Sequence, residues 1–375
     1  MSDVSRRRFL ATTGVAAALA PFLAADAQVL RPDSTAAPVS YDPASSVTVG
    51  PEPSVAAPAP AARPYPGLPE RVVPPRLTPG DTVGLITPAG AIFDPNEIRD
   101  AETALAALGL QSVRGRNVLA RHGYLGGTDA QRASDVMDMV RDPSVDAILA
   151  LRGGWGCARL LPFLDYEAVR ANPKIVCGYS DITGLLLGLY TRAGLACFHG
   201  PVGTSTWDDF STGYFRRVLF DASPVSMPTP RPDDVWTLTP GRIGGRLAGG
   251  NLSVLAALVG TPYFPDLSGH ILFLEDVGEE PYRIDRMLTQ LDLAGVFNRV
   301  RGVVFGDCRN CAPGEGYVSL SLRQVFEDHF RPYGFPMFYG TAIGHIAGKF
   351  TIPLGIEAEM DATTGMLRLL EPAVA

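Results

Sequence analysis

Apolar residues along this chain alternate between short continuous runs and stretches at helical spacing. The run Val83-Gly84-Leu85-Ile86 is followed by apolar positions at helical spacing over 95–108, ended by Gly109, which reads as a strand and then a helix. The alternation returns as an amphipathic helix over 130–141, a buried-type strand over 145–151, a β-leaning run over 174–177, an apolar helix over 184–190 and a strand over 195–201. Strands alternating with helices through short turns predict an α/β fold, here an N-terminal domain over 76–222 with a doubly wound, mostly parallel sheet. Residues 223–240, rich in Pro, Asp and Thr, are expected to be an interdomain linker. Beyond it, Asn251 caps a helix after Gly249-Gly250, and short apolar runs at 271–274, 303–306, 336–340, 351–355 and 366–370 predict a smaller, β-rich α/β domain over 241–375.

In such a sheet, ligands sit beyond the carboxyl ends of the strands, so the residues at those ends carry the candidate chemistry. Gly178-Tyr179-Ser180-Asp181-Ile182 joins a β-leaning run directly to an apolar helix, in partial likeness to a nucleophile elbow without the second glycine of G-x-S-x-G. Ser180 is therefore a candidate nucleophile; the alternative is the N-cap of the helix that follows. Arg152-Gly153-Gly154-Trp155-Gly156 closes the preceding strand, and glycines there let backbone N–H groups approach an oxyanion or carboxylate. The other reading is a tight turn with Trp155 packed on the surface. A serine nucleophile needs a histidine base and an acid to orient it. His199 and His345 both end apolar strands beside glycine, and spacing does not choose between them. His122, His270 and His329 stand in polar or turn-like stretches and are expected at the surface. Glu275, Asp276, Glu279 and Glu280 are rivals for the acid.

The N-terminus changes the picture of where the protein works. Arg6-Arg7-Arg8-Phe9-Leu10, a modest apolar stretch and the small-x-small site Ala25-Asp26-Ala27 resemble a twin-arginine signal over 1–27, which implies export to the periplasm. The apolar stretch is shorter than a spanning helix needs, so no stable membrane span is expected. Residues 28–75, crowded with Pro, Ala and Ser, are expected to be a disordered linker, with the folded body starting near Pro75. A net charge of -7 without a basic run argues against nucleic acid as a partner. No G-x-G-x-x-G or Walker sequence stands in the mature chain, and no cofactor is implied. Cys308-x-x-Cys311 reads as half a zinc site, a redox pair, a local disulfide or two buried thiols, and with no second pair or nearby His no metal is expected. Cys157, Cys177 and Cys197 lie in apolar surroundings as small core residues.

Arg152 to Leu161, Gly178 to Thr183, Gly249-Gly250-Asn251-Leu252, Leu274-Glu275-Asp276 through Tyr282 to Arg286, and Gly344-His345 occur in the order found in LD-carboxypeptidases, and the chain resembles that family from Pro75 onward. The resemblance implies a two-domain serine peptidase with Ser180 as nucleophile, His345 as general base and then acid, and Glu275 orienting His345. It implies an oxyanion hole from the N–H groups of Gly154 and Asp181. Arg152, Trp155, Asn251 and Tyr282, which lie in these motifs, are the candidate substrate-binding residues. The implied reaction releases the terminal D-alanine of a murein tetrapeptide, with murein peptides as partners, no metal and a homodimer. The alternatives are a microcin C-type peptidase acting on a peptidyl-nucleotide and a non-catalytic binding protein for wall peptides.

Overall fold

A computed structural model describes residues 67–375 except 231, 232, 234, 316 and 317. In chain order the first domain runs β1 (Thr82–Ile86), α1 (Asn96–Ala107), β2 (Gln111–Arg114), α2 (Asp129–Arg141), β3 (Ala147–Ala150), α3 (Tyr166–Ala171), β4 (Ile175–Gly178), α4 (Ile182–Ala193), β5 (Phe198–His199) and α5 (Asp209–Leu219). The second continues with β6 (Ser226–Pro228), β7 (Trp236–Thr239), β8 (Arg242–Asn251), α6 (Leu252–Leu258), β9 (His270–Val277), α7 (Pro281–Leu293), β10 (Gly302–Arg309), α8 (Leu322–Phe330), β11 (Met337–Tyr339), β12 (Ile352–Pro353), β13 (Glu357–Asp361) and β14 (Met366–Leu369). These build two α/β domains, each on its own sheet.

The helices begin where their sequences supply caps. The Thr128 hydroxyl accepts from the Gln131 N–H while the Gln131 side chain accepts from the Thr128 N–H, and Asp165, Asp208, Asn251 and Ser321 each cap the helix that follows. Helix α4 lacks a polar face: all of its residues except Arg192 are buried, which makes it the spine of the first domain, and Gly194 ends it in a left-handed conformation.

The first sheet has the order β12-β5-β4-β3-β1-β2, parallel throughout β1 to β5. Its edge strand comes from the second half of the chain: β12 pairs antiparallel with β5, placing Ile352 opposite His199. The second sheet has the order β6-β14-β13-β8-β9-β10-β11-β7, parallel at its centre from β8 to β11 and antiparallel at its margins. The domain expected to be smaller thus carries the wider sheet, eight strands against six.

Two boundaries differ from the sequence expectation. The segment 223–240 holds β6 and β7, both members of the second sheet, because Met227 is buried against that sheet and Trp236 stacks on Tyr339. The folded body also begins before Pro75: Val72 exchanges backbone hydrogen bonds with Gly194 and Ala196, and Arg71 forms a two-bond ion pair with Glu371. Proline-rich composition at both places concealed backbone pairing that only residues distant in the chain provide. The proposed signal at 1–27 and most of the proposed linker lie outside the described residues. Among the described residues no helix is long and apolar enough to cross a membrane.

Candidate active site

Strand β4 ends at Gly178 and α4 starts at Ile182, so only three residues make the turn, and Ser180 within it has φ 64°. A non-glycine residue in the left-handed region costs on the order of 1–2 kcal/mol, which the surrounding packing must hold in place. The capping position of α4 belongs to Asp181, which makes no side-chain cap bond; Ser180 is one residue too early to cap the helix. Asp181 instead accepts a hydrogen bond from the N–H of Cys157 at 2.8 Å, fastening the elbow to the glycine turn after β3. Burial pushes the Asp181 pKa up against that bond.

The serine hydroxyl meets the second domain. Ser180 Oγ lies 2.9 Å from His345 Nε2, and His345 Nδ1 lies 2.7 Å from Glu275 Oε2. A carboxylate only accepts, so Nδ1–H donates to Glu275 and Nε2 is left to accept the serine proton. Glu275 is fully buried. Burial raises its pKa, yet the hydrogen bond from His345 and the close approach of the His199 ring override that and hold it at about 2. The backbone makes room for this contact at Gly344, whose φ is 123° and where a Cβ would stand 3.0 Å from Glu275 Oε2.

The rivals separate cleanly. Asp276 is filled by the N–H and hydroxyl of Ser253, the Asn251 amide and its own neighbour Val277. Glu279 faces Arg283, and Glu280 Oε2 accepts from the Gly314 N–H. Among the histidines, His345 takes the serine and His199 lies behind it with its Nε2 3.7 Å from Glu275 Oε1. His122 is exposed as expected. His270 is not: it is buried between Tyr190 Oη at 2.8 Å and the Ser268 carbonyl at 3.0 Å, and burial lowers its pKa. His329 is mostly buried too, paired with Asp285 at 2.7 Å.

Of the other site candidates, Gly154 turns with φ 124° directly after Gly153, and Gly153 packs on Ser180. The neighbouring Arg152 donates to the Ala91 carbonyl at 3.1 Å. Trp155 is half exposed, with Tyr124 edge-on at 5.8 Å and Arg159 over its ring at 5.9 Å. Tyr282 is also half exposed, flanked by Arg283 and Arg286. Asn251 is buried and has structural partners: its carbonyl caps α6 at Val254 and its amide donates to Asp276.

Sequence reasoning missed Arg132 and Lys349. The Arg132 side chain, fully buried, donates to the carbonyls of Pro88 and Gly156 and so ties together the turns after β1 and β3. Lys349 is buried with Nζ 4.8 Å from the centre of the Tyr179 ring, and burial lowers its pKa to about 8. Lys174 and Lys349 are the only lysines in the sequence, and an isolated lysine just after His345 in an apolar setting was the available signal. Cys308 and Cys311 form a disulfide, one of the states the spacing allowed, while Cys157, Cys177 and Cys197 are buried free thiols.

Residues 83–200 match the LD-carboxypeptidase N-terminal domain and residues 244–360 match the LD-carboxypeptidase C-terminal domain. The chain belongs to the LD-carboxypeptidase family. Together with the Ser-His-Glu arrangement, this makes it a serine-type carboxypeptidase or hydrolase. It is 39% identical over 293 residues to a probable murein peptide carboxypeptidase of Bacillus subtilis, covering 77% of this chain and 91% of the relative. It is 30% identical over 320 residues to the microcin C7 self-immunity protein MccF of Escherichia coli, covering 76% and 92%. The structure of MccF with glutamyl sulfamoyl guanosine superposes with a TM-score of 0.75 at 25% identity, over 81% of this chain and 99% of that one. MccF has also been solved with aspartyl sulfamoyl adenosine and, as a variant, with adenosine monophosphate. The ligands held by MccF in these structures are aminoacyl sulfamoyl nucleosides and adenosine monophosphate, which corrects the expectation that murein peptides are the partner.

Proposed function

We propose that this chain hydrolyses the amide-type bond between an amino acid and a nucleotide-like leaving group, in the manner of a microcin C-type peptidase. The observation that carries this reading is the continuous hydrogen-bonded chain Ser180 Oγ–His345–Glu275, at 2.9 and 2.7 Å, against the glycine turn whose Gly153 packs on Ser180 and whose Trp155 is half exposed. Trp155 and Tyr124 offer ring faces to a nucleobase, and Arg152 offers charge to a sulfamoyl or phosphoryl group, while Arg159 over the Trp155 ring is paired with Asp129. The aminoacyl-sulfamoyl nucleosides bound by MccF are the matching chemistry.

In this mechanism Ser180 Oγ attacks the aminoacyl carbonyl carbon as its proton passes to His345 Nε2. Glu275, ionised and buried, faces the imidazolium so formed. The N–H groups of Gly154 and Asp181 receive the developing oxyanion, each worth a few kcal/mol. The carbon–nitrogen bond breaks, the leaving nitrogen takes the proton from Nε2, and water then cleaves the acyl ester with His345 again as base. Asn251 acts through Asp276 and α6 in this reading, while Arg152, Trp155 and Tyr282 meet the substrate.

The test sets aspartyl sulfamoyl adenosine beside a muramoyl tetrapeptide, with wild type and Ser180→Ala. Wild type releases aspartate from the nucleoside and Ser180→Ala does not. Turnover of the tetrapeptide with none of the nucleoside overturns the reading. We propose in addition that the chain is exported; the support is the Arg6-Arg7 pair ahead of Phe9-Leu10.

A further inference from the structure

Two buried polar atoms beside the triad face each other without any hydrogen-bond partner: His199 Nε2 and Glu275 Oε1, 3.7 Å apart. The gap exceeds hydrogen-bond length, so the contact counts as a close approach of donor and acceptor awaiting closure. An unpartnered buried carboxylate oxygen is costly, and a shift of under 1 Å would bring the two atoms into a normal bond. His199 is 2% exposed and its backbone is held on both sides, opposite Gly178 of β4 and Ile352 of β12. The Phe273 ring at 5.5 Å and the Tyr179 ring at 6.2 Å, both edge-on, hold the imidazole plane.

We propose that His199 is a positioning residue for the hydrolytic reaction: its Nε2–H engages Glu275 Oε1 while His345 Nδ1–H engages Oε2, so that one carboxylate is clamped between two imidazoles. The inference rests on Ser180, His345 and Glu275 being the hydrolytic groups. With both oxygens occupied, Glu275 cannot rotate away from His345, and its charge is shared between two donors. The ionisable groups around it are His345, Asp276 next along β9, and Lys349 with Asp208 beside it, reaching across the Tyr179 ring. Tyr179 also faces the carboxylate, and His199, alone among all of these groups, lies against the free oxygen Oε1.

Removing the His199 donor leaves the Glu275 charge directed at His345 alone. The imidazolium is then held more strongly, and the acid limb of the activity profile moves to higher pH. For His199→Leu we expect kcat on aspartyl sulfamoyl adenosine to fall roughly 10- to 100-fold, the effect of one hydrogen bond to a charged group, with KM little changed. The acid limb should rise by roughly half a pH unit or more. His199→Gln, whose amide nitrogen reaches the place of Nε2, should recover most of kcat and return the limb. A purely structural role lowers activity without moving the limb.

In wild type, nitrogen-15 NMR of labelled histidine should show His199 carrying a proton at Nε2. An Nε2 without a proton overturns the proposal whatever the variants do, as does a His199→Leu enzyme with wild-type kcat and pH profile. Should Ser180→Ala keep its turnover, the hydrolytic assignment fails first, and the His199 tautomer still reports whether the clamp exists.

Discussion

Gly153 packs so closely on Ser180 that a Cβ placed on it would stand 2.7 Å from the serine Cβ and 3.0 Å from its Oγ. The glycine turn after β3 and the elbow after β4 are therefore one surface, with space for backbone and none for a side chain. Gly153→Ala must displace Ser180 or the turn. We expect turnover to fall at least 100-fold, since a misplacement of about 1 Å costs that much, while the fold persists. Circular dichroism with a turnover assay checks both, and unchanged turnover would count against the elbow as the reacting centre.

The carboxylates on β9 give a second comparison. Glu275→Gln should lower turnover by several orders of magnitude, on the order of 10⁴, as when other triads lose their acid. Asp276→Asn should act on stability, because that carboxylate holds Asn251, Ser253 and the start of α6. Glu275 also carries a pH signature. Its folded pKa of about 2 lies below the ordinary 4.5, so its contribution is present above pH 4.5 and is lost as pH falls toward 2. The stability gap between wild type and Glu275→Gln should narrow over that window in denaturant titrations.

The shift of Lys349 is a penalty where that of Glu275 is a gain, although stability rises with pH in both windows. Burial brings its folded pKa to about 8 from 10.5, so the unfolded chain binds more protons between those values and stability rises with pH there. Below pH 8 the penalty is complete, on the order of 3 kcal/mol before the contact with Tyr179 is set against it. Lys349→Met should be more stable than wild type at pH 7 by roughly 1–3 kcal/mol, and the advantage should shrink by pH 10. A wild type more stable than the variant at pH 7 contradicts this.

Cys308 and Cys311 are bonded to each other, so neither sulfur is free to hold a metal as a thiolate. A strong chelator should leave turnover unchanged. Cys308→Ser/Cys311→Ser should lose about 2 kcal/mol of stability, the effect of closing so short a loop. Loss of turnover on chelation, restored by zinc, contradicts the serine mechanism.

Export is tested in cells. Replacing Arg6 and Arg7 by lysine should leave the full-length chain unprocessed in the cytoplasm, because the pathway depends on the arginine pair. A mature form beginning near Gln28 that still reaches the periplasm would sink the twin-arginine reading.

Hydrophobic periodicity in the chain was enough to establish alternating strands and helices, the strand–Gly178–Ser180–helix turn and the glycine turn at 153–156, because these are local properties of neighbouring residues. The order of the motifs placed the chain among LD-carboxypeptidases. Which acid and which histidine face Ser180 is not local. Successive residues of a strand point to opposite faces, so Glu275 turns toward the histidines while Asp276 turns toward Asn251 and Ser253, and only the pairing of β9 with β8 shows which is which. His199 and His345 end similar apolar runs, yet β5 lies inside the first sheet and the loop of His345 crosses to Ser180 from the second domain. The polar stretch 223–240 looked like a linker because β6 and β7 find their partners more than 90 residues away, in β14 and β11. Contacts between residues so far apart leave no periodic trace in the sequence, and tertiary packing alone decides them.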